Sequence, residues 1–407
     1  MALLVQKFGG SSLATPERIQ HVATRIKKTV SEGNSLVVVV SAMGDTTDGL
    51  ISLAKTLSAN PSSREMDMLL STGEQISISL LSIALHEIGV SALSMTGGMS
   101  GIETSLHHRK AKITNIDTNR LKTALGNYQV VIVAGFQGMT PAGEITTLGR
   151  GGSDTTAVAI AAAIDASCCE IYTDVSGVYS SDPRLVPLAQ QLPMIDYDEM
   201  LEMAKLGAGV LHPRSVEIGR KYKIPIVVRS TFDEQSGTVV KEVNLMERVE
   251  VRGVALDDQI ARISVTAVPD EPGIAFALFS ALALKSVSVD MIIQNLNHDE
   301  HNDISFTIAK DDLQDALDVC QEFCVSHAPN AQILHNENTA KLSIIGAGIC
   351  GHTEVASKLF KTLYDAKVNI EMISTSEIRI SCLISSDVAN EVAKKVHTAF
   401  DLDGAML

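Results

Sequence analysis

Residues 2–47 read ALLVQKFGGSSLATPERIQHVATRIKKTVSEGNSLVVVVSAMGDTT. Ala2–Phe8 is a short apolar segment that runs into a Gly-Gly-Ser-Ser turn. From Thr15 to Val30 the apolar residues recur at helical spacing: Ile19, Val22, Ile26 and Val30 share one face, and Pro16 and Glu17 suit a first turn. Leu36–Val40 is a continuous apolar run rich in valine, as expected of a strand buried on both faces. Strand, glycine loop, helix, strand is the order of a parallel α/β layer. The same alternation continues outward. Met66–Leu85 and the Ala-rich Asp154–Ile164 read as helices, and Val90–Ser94, Val130–Ala134, Glu170–Thr173 and Ile224–Val228 as strands. This pattern holds to about residue 245.

Beyond that point the texture changes and an internal repeat begins. ARISVTAVPDEPGIAFALFSALALKSVSVDMIIQN is followed by AKLSIIGAGICGHTEVASKLFKTLYDAKVNIEMISTS. Ile263 corresponds to Leu342, and Val287–Ile292 to Val368–Ile373. Each copy reads strand, turn, helix, strand, strand, helix, which is the size and order of a small α+β module and too long for a solenoid unit. The first copy has a candidate last strand at Ala331–His335. The second copy runs out after its final helix, Val388–Phe400, without one. The strand-like EVRGVAL at Glu250–Leu256 precedes the first copy and has no partner there. It is expected to complete the second module, so that the two modules interleave.

Composition removes several function classes. The chain has 407 residues, 45% hydrophobic and 20% charged, which excludes a disordered chain and suggests two or three domains. The 33 basic against 48 acidic residues give a formal charge of −15, unsuited to nucleic acid or to an anionic membrane as main partner. Aromatic residues are 4% with no Trp, so base-stacking platforms are excluded too. No unbroken apolar run approaches a membrane span of about 20 residues, and no basic segment precedes an apolar one at the N-terminus. The six cysteines (168, 169, 320, 324, 350 and 382) have no framework spacing and read as reduced thiols of a cytoplasmic protein rather than a metal site.

Three glycine-bearing segments carry candidate chemistry. Lys7-Phe-Gly-Gly-Ser-Ser12 follows a strand: the Gly pair permits close backbone approach, a helix start favours an anion, and Lys7 adds an ammonium. A structural turn is the alternative. Thr147-Leu-Gly-Arg-Gly-Gly-Ser-Asp154 feeds the Ala-rich helix. Arg150 offers bidentate recognition of a carboxylate or phosphate, and Asp154 falls where a helix dipole favours a carboxylate. A bare N-cap at Ser153 or Asp154 does not call for an Arg among three glycines. Tyr172-Thr-Asp-Val-Ser-Gly-Val-Tyr-Ser-Ser-Asp-Pro-Arg184 leaves the carboxyl end of a strand, where parallel sheets bind ligands, and has groups to hold a nucleotide or to make a plain surface turn. Ser41 and Thr47 follow another buried strand. Glu74, in STGEQIS, is not separable by sequence from a solvated helix residue. There is no GxxxxGK[ST], no GxSxG and no protein-kinase HRD or DFG set. Gly346-Ala-Gly-Ile-Cys-Gly351 fits GxGxxG, but only 56 residues follow it, too few for a dinucleotide-binding sheet, and the first copy has PDEPG there.

Together, KFGGSS, SAMGDTTD, STGEQIS, VAGFQG, TLGRGGSDTTA, TDVSGVYSSDPR and GVLHPRS, followed by the repeat with VNIEMISTSEIRIS, resemble the monofunctional aspartate kinases over essentially the whole chain. The resemblance implies an amino-acid-kinase fold for residues 1–245, a mainly parallel sheet with helices on both faces. Two interleaved ferredoxin-like ACT domains follow, 261–336 and 250–257 with 338–407. It implies transfer of the ATP γ-phosphoryl group, with Mg²⁺ on the nucleotide, to the β-carboxylate of L-aspartate. The products are 4-phospho-L-aspartate and ADP, the first step toward lysine, threonine, methionine and isoleucine. By motif match, Lys7 and Asp154 are catalytic, and Thr47, Glu74, Arg150, Gly151, Gly152 and Ser153 bind the amino acid. Lys7, Gly9, Gly10, Ser11, Ser41, Thr173, Asp174, Tyr179, Asp182 and Arg184 line the ATP site, and no residue is a metal ligand. Many members carry Lys where this chain has Gly209, and Lys205 or Arg214 is the expected substitute.

For the repeat, the resemblance implies sheets paired side by side with lysine, threonine or both bound between them. The matching positions are Asp270, Gly273, Ile274 and Ala275; Ile292, Gln294 and Asn295; His352 and Thr353; and Val368, Asn369 and Ile370. Paired ACT domains that serve only to dimerise are the alternative. A homo-oligomer is expected, or an α2β2 assembly if Met246 starts a shorter ACT-only product. Acetylglutamate, uridylate or carbamate kinases, and a non-catalytic amino-acid sensor, are the rival readings; the ACT pair, with Glu74 and Arg150 suited to an amino acid's ammonium and carboxylate, argues against them.

Overall fold

The computed structural model describes residues 2–206, 209–243, 251–296, 301–349 and 351–403. Met246, Glu250 and Cys350 lie outside them. The chain forms two compact units, residues 1–179 with 191–244, and 180–190 with 245–407.

In the first unit the elements are β1 (Leu3–Phe8), α1 (Pro16–Ser31), β2 (Ser35–Val40), α2 (Thr46–Leu57), α3 (Ser63–Glu87), β3 (Ala92–Met95), β4 (Ile102–Thr104), β5 (Ile113–Ile116), α4 (Thr118–Asn127), β6 (Val130–Ala134), β7 (Gln137–Met139), β8 (Ile145–Thr147), α5 (Gly152–Ala163), β9 (Cys168–Thr173), β10 (Met194–Ile195), α6 (Tyr197–Lys205), α7 (Pro213–Tyr222), β11 (Ile226–Ser230) and β12 (Thr238–Val240). An eight-stranded sheet runs β10-β12-β11-β9-β1-β2-β6-β3, parallel except where β11 meets β12. The valines of β2 and β6 are wholly buried in it. Each such side chain removed from water contributes about 1.5–3 kcal/mol, so this centre is the rigid support from which the loops at the carboxyl ends of β1, β2 and β9 project. A small sheet, β5-β4-β7-β8, sits in the same unit.

The starts of the helices follow local chemistry. Thr15 caps α1 by accepting from the Arg18 N–H, with Pro16 at the first position. The Gly9–Ser12 segment therefore does not open α1, as the sequence suggested; Gly10–Leu13 is a short 3₁₀ turn before it. The helix α3 corrects another expectation. It is long and apolar enough by length and composition to cross a membrane, because scattered Ser, Thr and Gly interrupt its apolar runs without lowering its average. It is a core helix instead, with Met66, Leu70, Ile78, Leu81 and Leu85 buried.

The second unit contains β13 (Gly253–Pro269), α8 (Ile274–Leu284), β14 (Val289–Leu296), β15 (His301–Ala309), α9 (Leu313–His327), β16 (Gln332–Ile345), α10 (Thr353–Asp365), β17 (Met372–Ser376), β18 (Arg379–Ser385) and α11 (Ser386–Ala399). The sheet order is β14-β15-β13-β16-β18-β17. The long strands β13 and β16 are shared. Ile260–Pro269 pairs with β15, and Arg262–Thr266 with Gln332–Asn336, completing the first copy. Gly253–Asp257 lies antiparallel on Lys341–Ile345 and supplies the strand that the second copy lacks. Val254 is accordingly buried in the core of the second copy, with Leu342, Ile344, Leu359 and Val396. The 180–190 segment, expected within a continuous 1–245 domain, closes in this unit. Ser180 Oγ shares a hydrogen bond with His397 Nε2 at 2.8 Å, and the Val254 N–H donates to Ser180 O at 2.7 Å. Val368–Ile370, among the candidate effector positions, precedes β17 and makes no ladder.

Candidate active site

Parallel neighbours bring the ends of β1, β2 and β9 together. β1 ends in Lys7 and Phe8; Phe8 stacks on Tyr172 of β9 at 4.8 Å between ring centres, and the Gly9 N–H donates to Tyr172 O at 3.2 Å. The Gly10 turn packs on the loop after β2. The Gly44 N–H donates to Gly10 O at 3.0 Å, and a Cβ at Gly10 would stand 2.8 Å from Ala42 O. From the other side comes the loop that opens α5. Gly151 is its N-cap with φ +66°, and a Cβ there would lie 2.2 Å from the His212 ring. Only glycine fits both constraints.

One cavity of about 480 Å³ lies between these loops. Lys7, Gly10 and Ser41 line it from β1 and β2. Thr47 and Asp48 come from the first turn of α2, Leu70 and Glu74 from α3, and Gly149 to Asp154 from the α5 loop. Of the sequence candidates, Lys7, Gly10, Ser41, Thr47, Glu74, Arg150, Gly151, Gly152, Ser153 and Asp154 are thus gathered in one place. Gly9 stands beside it, 3.5 Å from Lys7 Nζ if given a Cβ. The Ser11 carbonyl is taken by Arg18 at 2.5 Å. Thr173, Asp174, Tyr179, Asp182 and Arg184 do not line this cavity. Thr173 Oγ1 donates to Asp174 at 3.0 Å, Tyr179 bridges to Gln191, and Arg184 pairs with Asp182 at 2.7 Å, which holds the Asp182 carboxyl below its usual range.

The electrostatics are arranged by burial. Lys7 Nζ lies 2.6 Å from an Asp154 carboxylate oxygen, and both side chains are nearly enclosed. The pair fixes the ammonium where the first turn of α5 adds the positive end of its dipole. Glu74 is 3% exposed. One of its oxygens accepts the Ala42 N–H at 3.1 Å, and the other is buried without a partner among the described residues. Burial pushes its carboxyl up to about 8. A cationic donor arriving in the cavity would satisfy that oxygen and ionise the group.

The expected substitutes for a Lys at Gly209 are otherwise engaged. Arg214 donates to Leu148 O at 2.7 Å and Ala111 O at 3.1 Å, pinning the loop before Arg150; Lys205 pairs with Glu202 at 3.2 Å. Besides Asp48 and Leu70, sequence reasoning missed further residues of the site. Phe136 and Thr147 line the cavity, as does Arg109. Behind them Asp67, wholly buried, accepts from Thr147 Oγ1 at 2.6 Å, from the Arg109 N–H at 3.1 Å, and bonds His108 Nδ1 at 2.7 Å. Asp67 stands seven residues before Glu74, two turns back on one face of α3, which was the signal available in the sequence.

Among the described residues no group of three or more His, Cys, Asp or Glu could hold a metal ion. The candidate effector positions lie in the second unit. Asp270 accepts from Asn302 at 2.8 Å; Gly273 caps α8, which begins Ile274-Ala275. Ile292, Gln294 and Asn295 lie on β14, an edge strand, and His352 and Thr353 open α10.

Residues 2–230 match the amino acid kinase family, and residues 263–323 and 342–400 match an ACT domain. The chain is 49% identical over 403 residues to the aspartokinase of Geobacillus stearothermophilus, covering 99% of this chain and 98% of that one. Aspartokinase III of E. coli in complex with aspartate and ADP (R-state) has a TM-score of 0.83 at 25% identity, over 98% of this chain and 99% of that chain. The same E. coli enzyme in complex with lysine and aspartate (T-state) gives 0.76 at 26% identity, over 98% and 99%. With its fold, its cavity and its full-length relatives in agreement, the chain belongs to the aspartokinases, kinases built from an amino acid kinase region and ACT domains.

Proposed function

We propose that the cavity between β1, β2 and α5 is where MgATP phosphorylates the β-carboxylate of L-aspartate. Glu74 takes the α-ammonium, Arg150 clasps the α-carboxylate, and Thr47 and Ser153 add polar contacts. Lys7, held by Asp154, and the Gly9-Gly10 turn meet the transferred phosphoryl group. A β-carboxylate oxygen attacks the γ-phosphorus as the bond to the β,γ-bridging oxygen breaks, and ADP leaves with that electron pair. The nucleophile is already ionised at neutral pH, since free Asp has a pKa of about 3.9, so no general base is required. What the reaction needs is in-line placement of two anions and cancellation of their charge. Lys7, the α5 terminus and the Mg²⁺ carried by the nucleotide supply that. Ser41, Thr173, Asp174, Tyr179, Asp182 and Arg184 serve the nucleotide. The observation that carries the reading is the convergence of the Lys7–Asp154 pair, the unpartnered Glu74 oxygen and Arg150 on one cavity.

Lysine, threonine or both act at the ACT positions and favour a less active arrangement, and the ACT domains mediate assembly as a homo-oligomer or with an ACT-only product. The product feeds synthesis of amino acids derived from aspartate. ADP release measured with and without L-aspartate tests the catalytic reading. Release that depends on L-aspartate, and not on acetylglutamate, UMP or carbamate, supports it; release indifferent to L-aspartate defeats it.

A further inference from the structure

Arg109 is the unexplained residue at this cavity. Its backbone is left-handed, φ +65°, a conformation that favours glycine, yet a bulky cation occupies it. Such an outlier persists where its surroundings over-determine it, and it points to function. Here they do. The buried Asp67 carboxylate accepts the Arg109 N–H through both oxygens at 3.1 Å and bonds His108 Nδ1 at 2.7 Å. The Ala111 N–H donates to Thr147 O at 3.0 Å, and Arg214 holds Ala111 O at 3.1 Å. The strap 107–111 is thereby fastened to the strand and loop that present Arg150. A Cβ on Gly149 would sit 3.0 Å from Arg109 O, so the two backbones touch one residue before Arg150. Arg109 lines the same cavity as Arg150, and its side chain has no ion-pair or hydrogen-bond partner among the described residues.

We propose that Arg109 is a second guanidinium for the amino acid's α-carboxylate, facing it together with Arg150, and that Asp67 is the positioning residue that aims it. The assignment rests on reading this cavity as the amino-acid site. A planar guanidinium pairs with a carboxylate through two parallel hydrogen bonds, and two such donors from adjoining backbones match the four lone pairs of one carboxylate. Because the α-carboxylate does not change charge during transfer, the contact binds ground state and transition state alike and appears in KM rather than kcat.

The test compares Arg109→Gly, Arg109→Lys, Arg150→Ala and Asp67→Asn in the full chain, with KM for L-aspartate and for MgATP and kcat measured on each. Glycine suits the left-handed backbone, so Arg109→Gly keeps its fold, which thermal unfolding verifies. The expected result is a tenfold or larger rise in aspartate KM for Arg109→Gly, with MgATP KM and kcat within threefold and Arg109→Lys in between. Asp67→Asn raises aspartate KM in the wild-type background but by less than twofold in the Arg109→Gly background. An aspartate KM changed by less than threefold in Arg109→Gly overturns the proposal, as does a loss carried by kcat or by MgATP KM, which would assign the cation to the phosphates. If Arg150→Ala also leaves aspartate KM unmoved, the reading of the cavity has failed; if it raises KM and Arg109→Gly does not, this inference alone has.

Discussion

Glu74 shows how much one buried carboxyl decides. Enclosed by α3 and the loop after β2, its carboxyl is pushed up to about 8 by burial. An ammonium ligand requires the ionised form, so kcat/KM for aspartate should rise with pH and level near 8, since that parameter reports the free enzyme. Glu74→Gln should flatten the rise and lower kcat/KM at least tenfold; a wild-type profile flat from pH 6 to 9 would refute the role. The stability sign is separate. Below about pH 4.5 the group is protonated folded or unfolded, and contributes nothing. As pH rises toward 8 the unfolded chain ionises and the native state does not, so this group destabilises the fold progressively. Glu74→Gln should therefore gain thermal stability over wild type at pH 8 and not at pH 4. On the proposed reading Lys7, which lines the same cavity, meets charge that develops only during transfer.

At the scale of elements, the α5 loop is built around a position that excludes every side chain. Gly151→Ala places a methyl group against the His212 ring in a left-handed backbone, and should cost about 2–4 kcal/mol, read as a fall in the unfolding midpoint, with activity lost in proportion to the displacement of Arg150. The strand exchange in the second unit is as specific. Val254→Asp inserts a charge into the core of the second ACT copy, although it precedes the first copy in sequence, and should lower the unfolding temperature; an unchanged midpoint would contradict the pairing of β13 with β16. Elements of this kind differ in how far sequence announces them. The valine run of β2 and the one-sided helix α1 were legible because burial there is periodic or continuous. The short β4, β5, β7 and β8 were not, because three or four residues carry no period. Lys7, Glu74 and Arg150 were named through the motifs of the resemblance, and one cavity gathers them. Arg109 was missed because its place arises from a contact 42 residues away along the chain, and Asp67, although its spacing from Glu74 was visible, takes its role from contacts 42 and 80 residues away.

For the molecule as a whole, a catalytic unit of parallel sheet is followed by a regulatory unit in which the second ACT copy is completed by a strand that precedes the first. On this account an effector bound at the ACT positions acts through the equilibrium between arrangements, with a coupling of about 1–3 kcal/mol. Asn295→Ala, on the edge strand β14, should abolish inhibition by lysine and threonine, added singly and jointly, while leaving the uninhibited rate intact; inhibition undiminished in that variant would remove the site from β14. The catalytic account rests on charge cancellation at Lys7, and the most direct measurement is steady-state ADP release by Lys7→Ala beside wild type, with aspartate and MgATP varied in turn. In Lys7→Ala kcat should fall at least a hundredfold with aspartate KM within about threefold, since about 2.7 kcal/mol or more of the lost interaction belongs to the transition state alone. A kcat close to wild type with a raised KM would contradict it.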